Sequence, residues 1–126
     1  MREILFRGKG IDDNWYYGVP LVFTEDYVCM TTPHTYNKTV EMHTVGQYTG
    51  LTDKNGTKIF EGDILQFAYT GDNKGVEGIA SVVFESGKFG VLWGWHKEFV
   101  CLDGFANTTV EVIGNIHDNP ELLKGE

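Results

Sequence analysis

Cysteine is scarce in this sequence of 126 residues, and the two present, Cys29 and Cys101, each lie inside an apolar, strand-like segment. Such thiols are usually buried and free, although a single bridge between them is the alternative. The four histidines never stand at a metal-ligand spacing such as H-x-x-x-H, and neither cysteine belongs to a C-x-x-C pair. Because a structural zinc site needs about four such ligands, we predict neither a metal site nor a cofactor.

Basic residues are also few. Arginine occurs only at Arg2 and Arg7, and the formal net charge is −8. Binding to nucleic acid depends on neutralising phosphates with lysine and arginine, so this balance disfavours DNA and RNA as partners. A large negative charge is compatible with binding a basic patch of another protein, with mimicry of DNA, or with solubility alone.

Long apolar runs are missing. No stretch approaches the roughly 20 apolar residues that a membrane-spanning helix needs. The chain starts with Met1, Arg2 and Glu3, and no apolar run follows them as it would in a signal peptide. We therefore expect a cytoplasmic protein with no membrane partner.

Catalytic motifs are missing as well: there is no nucleophile elbow, phosphate-binding loop or dinucleotide-binding fingerprint. One carboxylate pair stands out, Glu61 and Asp63, which share a face if the segment is extended. With His43 or His96 they could perform the acid–base chemistry of a hydrolase. The structural alternative is a pair of acidic residues at a turn into a strand, bonded to backbone amides. We favour the structural alternative and expect no enzyme.

Glycine and aromatic residues are what the chain has in quantity: 16 Gly, eight Phe, six Tyr and three Trp. Short apolar runs broken by Gly, Asn and Asp are typical of all-β proteins. We predict one all-β domain over residues 1–126, a small antiparallel β-barrel or sandwich with a short C-terminal helix. The strands are predicted at residues 3–8, 15–23, 27–30, 42–48, 64–69, 79–84, 88–95, 98–102 and 110–116, with loops at 31–39 and 71–78.

Local signals predict three details of this fold. Asn55-Gly56 favours a two-residue hairpin turn with positive φ at both positions. Pro20, inside the second apolar run, indicates a bulge or an edge position. Pro120 fits the first position of a C-terminal helical turn, whose leucines would then dock onto the sheet.

Aromatic side chains also follow strand periodicity. Phe89, Val91, Trp93 and Trp95 alternate along one strand and share a face, which predicts a core or a subunit interface.

The run Trp15-Tyr16-Tyr17 alternates in the same way, so at least one of its rings should be partly exposed. Partly exposed rings are favoured at protein interfaces. The candidate interface residues are therefore Trp15, Tyr17, Trp93 and Trp95.

Three stretches together carry a family resemblance: REILFRGK with WYYG at residues 2–9 and 15–18, VGQYTGLTDKNGTKIFEGDI at 45–64, and VIGNIHDNPELL at 112–123. In order and spacing they resemble the YopX family, small proteins of bacteriophages and prophages. The resemblance implies a mainly β fold and a phage or prophage origin. It implies no biochemical activity and supplies no catalytic residues.

The sequence thus favours a non-enzymatic module that assembles with itself as a homo-oligomer or binds a host or phage protein. The first alternative is an acidic mimic of DNA that inhibits a host nucleic-acid-binding protein. The second is the hydrolase that would use Glu61 or Asp63 with a histidine.

Overall fold

A computed structural model describes residues 3–31, 37–69, 77–93, 98–102 and 108–123. Within these residues most of the chain is extended. The strands are β1 (Phe6–Lys9), β2 (Trp15–Phe23), β3 (Tyr27–Thr31), β4 (Lys38–Glu41), β5 (Gly46–Thr52), β6 (Lys58–Phe60), β7 (Asp63–Tyr69), β8 (Glu77–Glu85), β9 (Lys88–Trp93), β10 (Glu98–Cys101) and β11 (Thr108–Asn115). Short 3-10 turns occupy Met42–Thr44 and Pro120–Leu123.

The strands form two antiparallel sheets, in the orders β4-β3-β2-β1-β5-β6 and β10-β9-β8-β7-β11. The all-β prediction is confirmed, but among the described residues neither sheet closes into a barrel. The chain divides into two compact units, Met1–Gly50 and Leu51–Glu126. That the whole chain is one domain stays a prediction.

The core of the first unit lies on one face of its sheet. Val28 and Met30 alternate along β3 and, with Val40 of β4, are completely buried. Tyr16 of β2 packs against this cluster. The sheet curls enough for Val40 to form a single antiparallel bridge with Gly10, just after β1. Each such buried aliphatic side chain contributes roughly 1.5–3 kcal/mol to folding.

The core of the second unit also follows from strand periodicity. Alternate residues of β7, β8 and β9 point to one face, and register brings Leu65 opposite Ala80 and Val82 opposite Val91. The buried cluster consists of Ile59, Leu65, Phe67, Ala80, Val82, Val91 and Leu102.

The predicted turn at Asn55-Gly56 forms, but its predicted geometry is wrong. Only Gly56 has positive φ, at 82°, and its N–H donates to the carbonyl of Asp53 at 3.0 Å. The N–H of Asp53 donates to the carbonyl of Thr57 at 2.9 Å, so the loop between these two residues is three residues long. The two-residue turn with positive φ at both positions lies instead at Ser86 and Gly87, with φ of 52° and 80°.

The prediction was also wrong between residues 31 and 44. Part of the expected loop is strand β4, and the expected extended segment begins with the 3-10 turn Met42–Thr44. Threonine at the end of that turn explains the change, because the Thr44 hydroxyl donates to the carbonyl of Glu41 and accepts the N–H of Lys9. Residues 32–36 and 71–76 of the predicted loops lie outside the described residues.

The bulge and the C-terminal turn are confirmed. The register of β2 against β3 shifts between Pro20 and Val22, which leaves Leu21 as the extra residue. Pro120 opens the last 3-10 turn, and that turn packs against β8.

Candidate functional site

The exposed face of the first unit's sheet carries the aromatic candidates of β2. Because Tyr16 packs against the buried cluster, Trp15 and Tyr17 point to the opposite face. Tyr17 is 44% exposed, and Val19, two residues further along the same face, is exposed to the same extent. The prediction of a partly exposed ring in this run is therefore confirmed for Tyr17.

Trp15 differs from Tyr17 because it covers a cation. The guanidinium carbon of Arg7 lies 4.8 Å from the centre of the Trp15 ring, and Arg7 itself is buried. Such a contact is worth about 2 kcal/mol when the cation is desolvated. Trp15 therefore stabilises the sheet, and Tyr17 is the better candidate for contact with another molecule.

The bulge in β2 extends the apolar surface to the end of the β2–β3 hairpin. After the register shift, Val22 pairs with Cys29 on the outer face, and Phe23 pairs with buried Val28. Leu21, Val22 and Phe23 are nevertheless all more than half exposed. We call the exposed apolar residues of this hairpin the hairpin patch: Tyr17, Val19, Leu21, Val22, Phe23 and Tyr27.

The predicted stripe of Phe89, Val91, Trp93 and Trp95 is described only in part. Phe89 packs against the second unit's buried cluster and Val91 belongs to it, so the core interpretation of this stripe is confirmed for these two residues. The side chain of Trp93 and the whole of Trp95 lie outside the described part of the chain. Their role at an interface stays a prediction.

The carboxylate pair lies at the turn that joins β6 to β7. Asp63 is 2% exposed, and its Oδ2 accepts the backbone N–H of Phe60 at 2.7 Å, which closes the turn. Glu61 is only half-buried. Of the histidines predicted to assist them, His43 is exposed on the 3-10 turn of the first unit, and His96 lies outside the described residues.

His117, which sequence reasoning did not pair with this turn, lies beside it. A β-carbon built on Gly62 would lie 3.8 Å from Nε2 of His117, and the N–H of Ile116 donates to the Gly62 carbonyl at 2.9 Å. The proximity follows from the pairing of β7 with β11. The signal in the sequence was only that both turns belong to the stretches that carry the family resemblance.

Asp53 is a buried carboxylate that accepts three backbone N–H groups. Its Oδ1 accepts the N–H groups of Asn55 at 2.8 Å and Thr57 at 2.9 Å, and its Oδ2 accepts that of Val112 at 2.9 Å. Burial acts to raise the pKa of Asp53 and is the largest single influence on it. The N–H groups of Val112, Thr57 and Asn55, together with the positive charge of Lys54, outweigh burial and hold the pKa below its usual value.

The turn after β11 uses side-chain oxygens in the same way. Oδ1 of Asn115 accepts the N–H groups of His117 at 3.0 Å and Asp118 at 2.9 Å. Oδ1 of Asn119 accepts the N–H of Asn115 at 3.3 Å. Gly114 makes room for this contact, since a β-carbon there would lie 2.6 Å from the same Asn119 oxygen.

The family model described as YopX protein matches residues 5–124. The chain belongs to the YopX family. The crystal structure of protein EF1440 from Enterococcus faecalis is similar to this YopX protein, with a TM-score of 0.61 and 25% identity. The similarity covers 98% of this chain and 100% of that one. No curated protein matches the chain.

The YopX stretches map onto turns and caps. The middle stretch contains the Asp53 hairpin and the Asp63 turn, and the last stretch contains the Asn115 turn. The side chains of Asp53, Asp63, Asn115 and Asn119 there each accept backbone N–H groups. Among the described residues, no group of three or more His, Cys, Asp or Glu side chains is arranged to hold a metal ion. In the same part of the chain no helix is long and apolar enough to cross a membrane.

Proposed function

We propose that this YopX protein is a non-enzymatic protein-interaction module of phage or prophage origin that works in the cytoplasm of the bacterial host. The observation that carries the proposal is the hairpin patch. Its six large apolar side chains are each 44–58% exposed and lie within one hairpin. Tyr17, Val19 and Val22 share the outer face of β2, and contiguous apolar surfaces on soluble proteins commonly mark sites of protein association.

The composition of the patch supports an interface more than a catalytic cleft. It contains Tyr17, Phe23 and Tyr27, and aromatic residues are enriched at the centre of protein interfaces. Of the two carboxylates that the hydrolase alternative would use, Asp63 is buried and accepts the backbone N–H of Phe60, a role that closes a turn. A partner that covers the patch would remove apolar surface from water without any need for bond chemistry.

Two variants test the proposal. Tyr17→Ser with Val22→Ser removes the apolar character of the patch, and Ile11→Ser removes a similar side chain that is 76% exposed but lies outside the hairpin. Affinity capture from bacterial lysate, with light scattering for assembly size, should show partner binding or self-association that the double variant loses and Ile11→Ser retains. Far-ultraviolet circular dichroism checks that both remain folded. If the double variant captures and assembles as the wild type does, the proposal is wrong.

A further inference from the structure

The charge distribution around the hairpin patch indicates what kind of partner it fits. Between Trp15 and Thr31 the only charged residues are Glu25 and Asp26, both exposed at the turn that joins β2 to β3. On the neighbouring strand, Glu41 lies directly opposite Tyr27 of the patch. The apolar surface is therefore bordered by carboxylates, and no lysine or arginine lies within the hairpin.

The described basic residues on the strands beside the hairpin, β1 and β4, have other contacts. Arg7 is buried beneath Trp15, and the ammonium of Lys38 lies 5.5 Å from the centre of the Tyr16 ring. Lys9 forms an ion pair with Asp13 at 3.9 Å. The field at the hairpin end is therefore set by the carboxylates and has the same sign as the net charge of −8.

We propose that the hairpin patch binds a short amphipathic segment of a partner protein, in which apolar side chains are flanked by lysine or arginine. This inference rests on the proposed function. The apolar side chains would wrap around the end of the hairpin, where Val22 and Phe23 lie on opposite faces of β2, and the cations would lie beside Glu25 and Asp26. Complementary charges at the border of an apolar contact set partner choice and accelerate association.

A second copy of the chain fits this surface less well. Docking two hairpin patches would bring both pairs of turn carboxylates together, and each copy carries a net charge of −8. Like charges that face each other across an interface oppose association. Self-association is therefore an outcome that the experiment must be able to detect.

The test uses three fluorescent peptides of equal length: leucines alternating with lysines, leucines alternating with glutamates, and serines alternating with lysines. Fluorescence anisotropy at near-physiological ionic strength should show binding of the leucine–lysine peptide alone, weakening as salt rises. Phe23→Ser should weaken binding at least about ten-fold, since it removes one of the most exposed large side chains of the patch. The pair Glu25→Gln and Asp26→Asn should weaken it roughly five-fold.

The matched control for charge is the pair Glu85→Gln and Glu121→Gln, which changes the net charge equally at exposed positions outside the hairpin. If this pair weakens binding as much as Glu25→Gln with Asp26→Asn, or if the serine–lysine peptide binds equally well, overall charge explains the binding and the inference is overturned. If no peptide binds but light scattering shows an assembly that Phe23→Ser disrupts, the partner chemistry is wrong while the proposed function stands. If Phe23→Ser retains both peptide binding and assembly, the inference and the proposed function are both wrong.

Discussion

Replacing Asp53 with alanine should be among the most destabilising single changes in the second unit. The carboxylate accepts three backbone N–H groups at 2.8–2.9 Å and is only 7% exposed. Two of these donors lie in the hairpin after β5 and the third, on Val112, lies in β11. The substitution removes the acceptor for all three, and the donor on Val112 is only partly accessible to water.

The magnitude follows from these contacts. A hydrogen bond to a charged group is worth about 1.5–3 kcal/mol, but water can replace the acceptor for Asn55 and Thr57, which are exposed. We therefore expect Asp53→Ala to lower the free energy of unfolding by roughly 2–4 kcal/mol, equivalent to a fall in Tm of roughly 10 °C for a chain of this size. Asp53→Asn keeps one acceptor oxygen and should cost about half as much. Urea unfolding followed by circular dichroism measures both.

The pH dependence supplies a second check on Asp53. Its pKa in the folded protein is below the usual value of 3.8, so the carboxylate stabilises the fold fully above the unfolded-state pKa of about 3.9. That contribution is lost as the pH falls through the folded-state pKa. The stability difference between wild type and Asp53→Asn should therefore be largest near neutral pH and shrink below about pH 4.

The control for this prediction is Asp26→Ala, which removes an exposed carboxylate at a turn and should change stability by less than about 0.5 kcal/mol. If Asp53→Ala is no more destabilising than Asp26→Ala, or if the difference between wild type and Asp53→Asn is unchanged at pH values near 3, roughly one unit below the unfolded-state pKa, the structural role assigned to Asp53 is wrong.

Three further changes test other parts of the fold by urea unfolding. Ser86→Asn should stabilise the protein by roughly 0.5 kcal/mol, because asparagine tolerates positive φ better than serine; a loss of stability would contradict the assigned turn. Gly114→Ala should cost about 1–3 kcal/mol, since the new methyl group displaces the Asn119 side chain; tolerance would mean that this close approach is not needed. Trp15→Leu should cost about 1–2 kcal/mol, because leucine offers the buried Arg7 guanidinium no aromatic face; an unchanged stability would mean that the cation–π interaction contributes nothing.

The sequence was sufficient for those features that depend on neighbouring residues. Alternation of apolar side chains predicts β2, β7 and the Phe89–Val91 face, Pro20 predicts the bulge, and Pro120 predicts the last turn. In each case the determining property is local: side-chain periodicity, or the missing N–H of proline.

What sequence reasoning missed depends on long-range contacts. The Asp53 carboxylate, which accepts two N–H groups within the Asn55-Gly56 loop, also accepts the N–H of Val112, 59 residues away in β11. His117 lies beside Gly62 because β11 pairs with β7, and nothing in either segment alone specifies that pairing. The exposure of the hairpin patch was equally hidden, since periodicity shows which residues share a face but not whether another element covers that face.

The most direct measurement of the central claim, that the hairpin patch is where this protein meets its partner, is photo-crosslinking in bacterial cells. A photoreactive benzoylphenylalanine in place of Val22 should give a discrete, partner-sized adduct on irradiation. The same residue in place of Ile11, which is also exposed, should give none. Adducts of equal yield at both positions, or none at Val22, would contradict the claim.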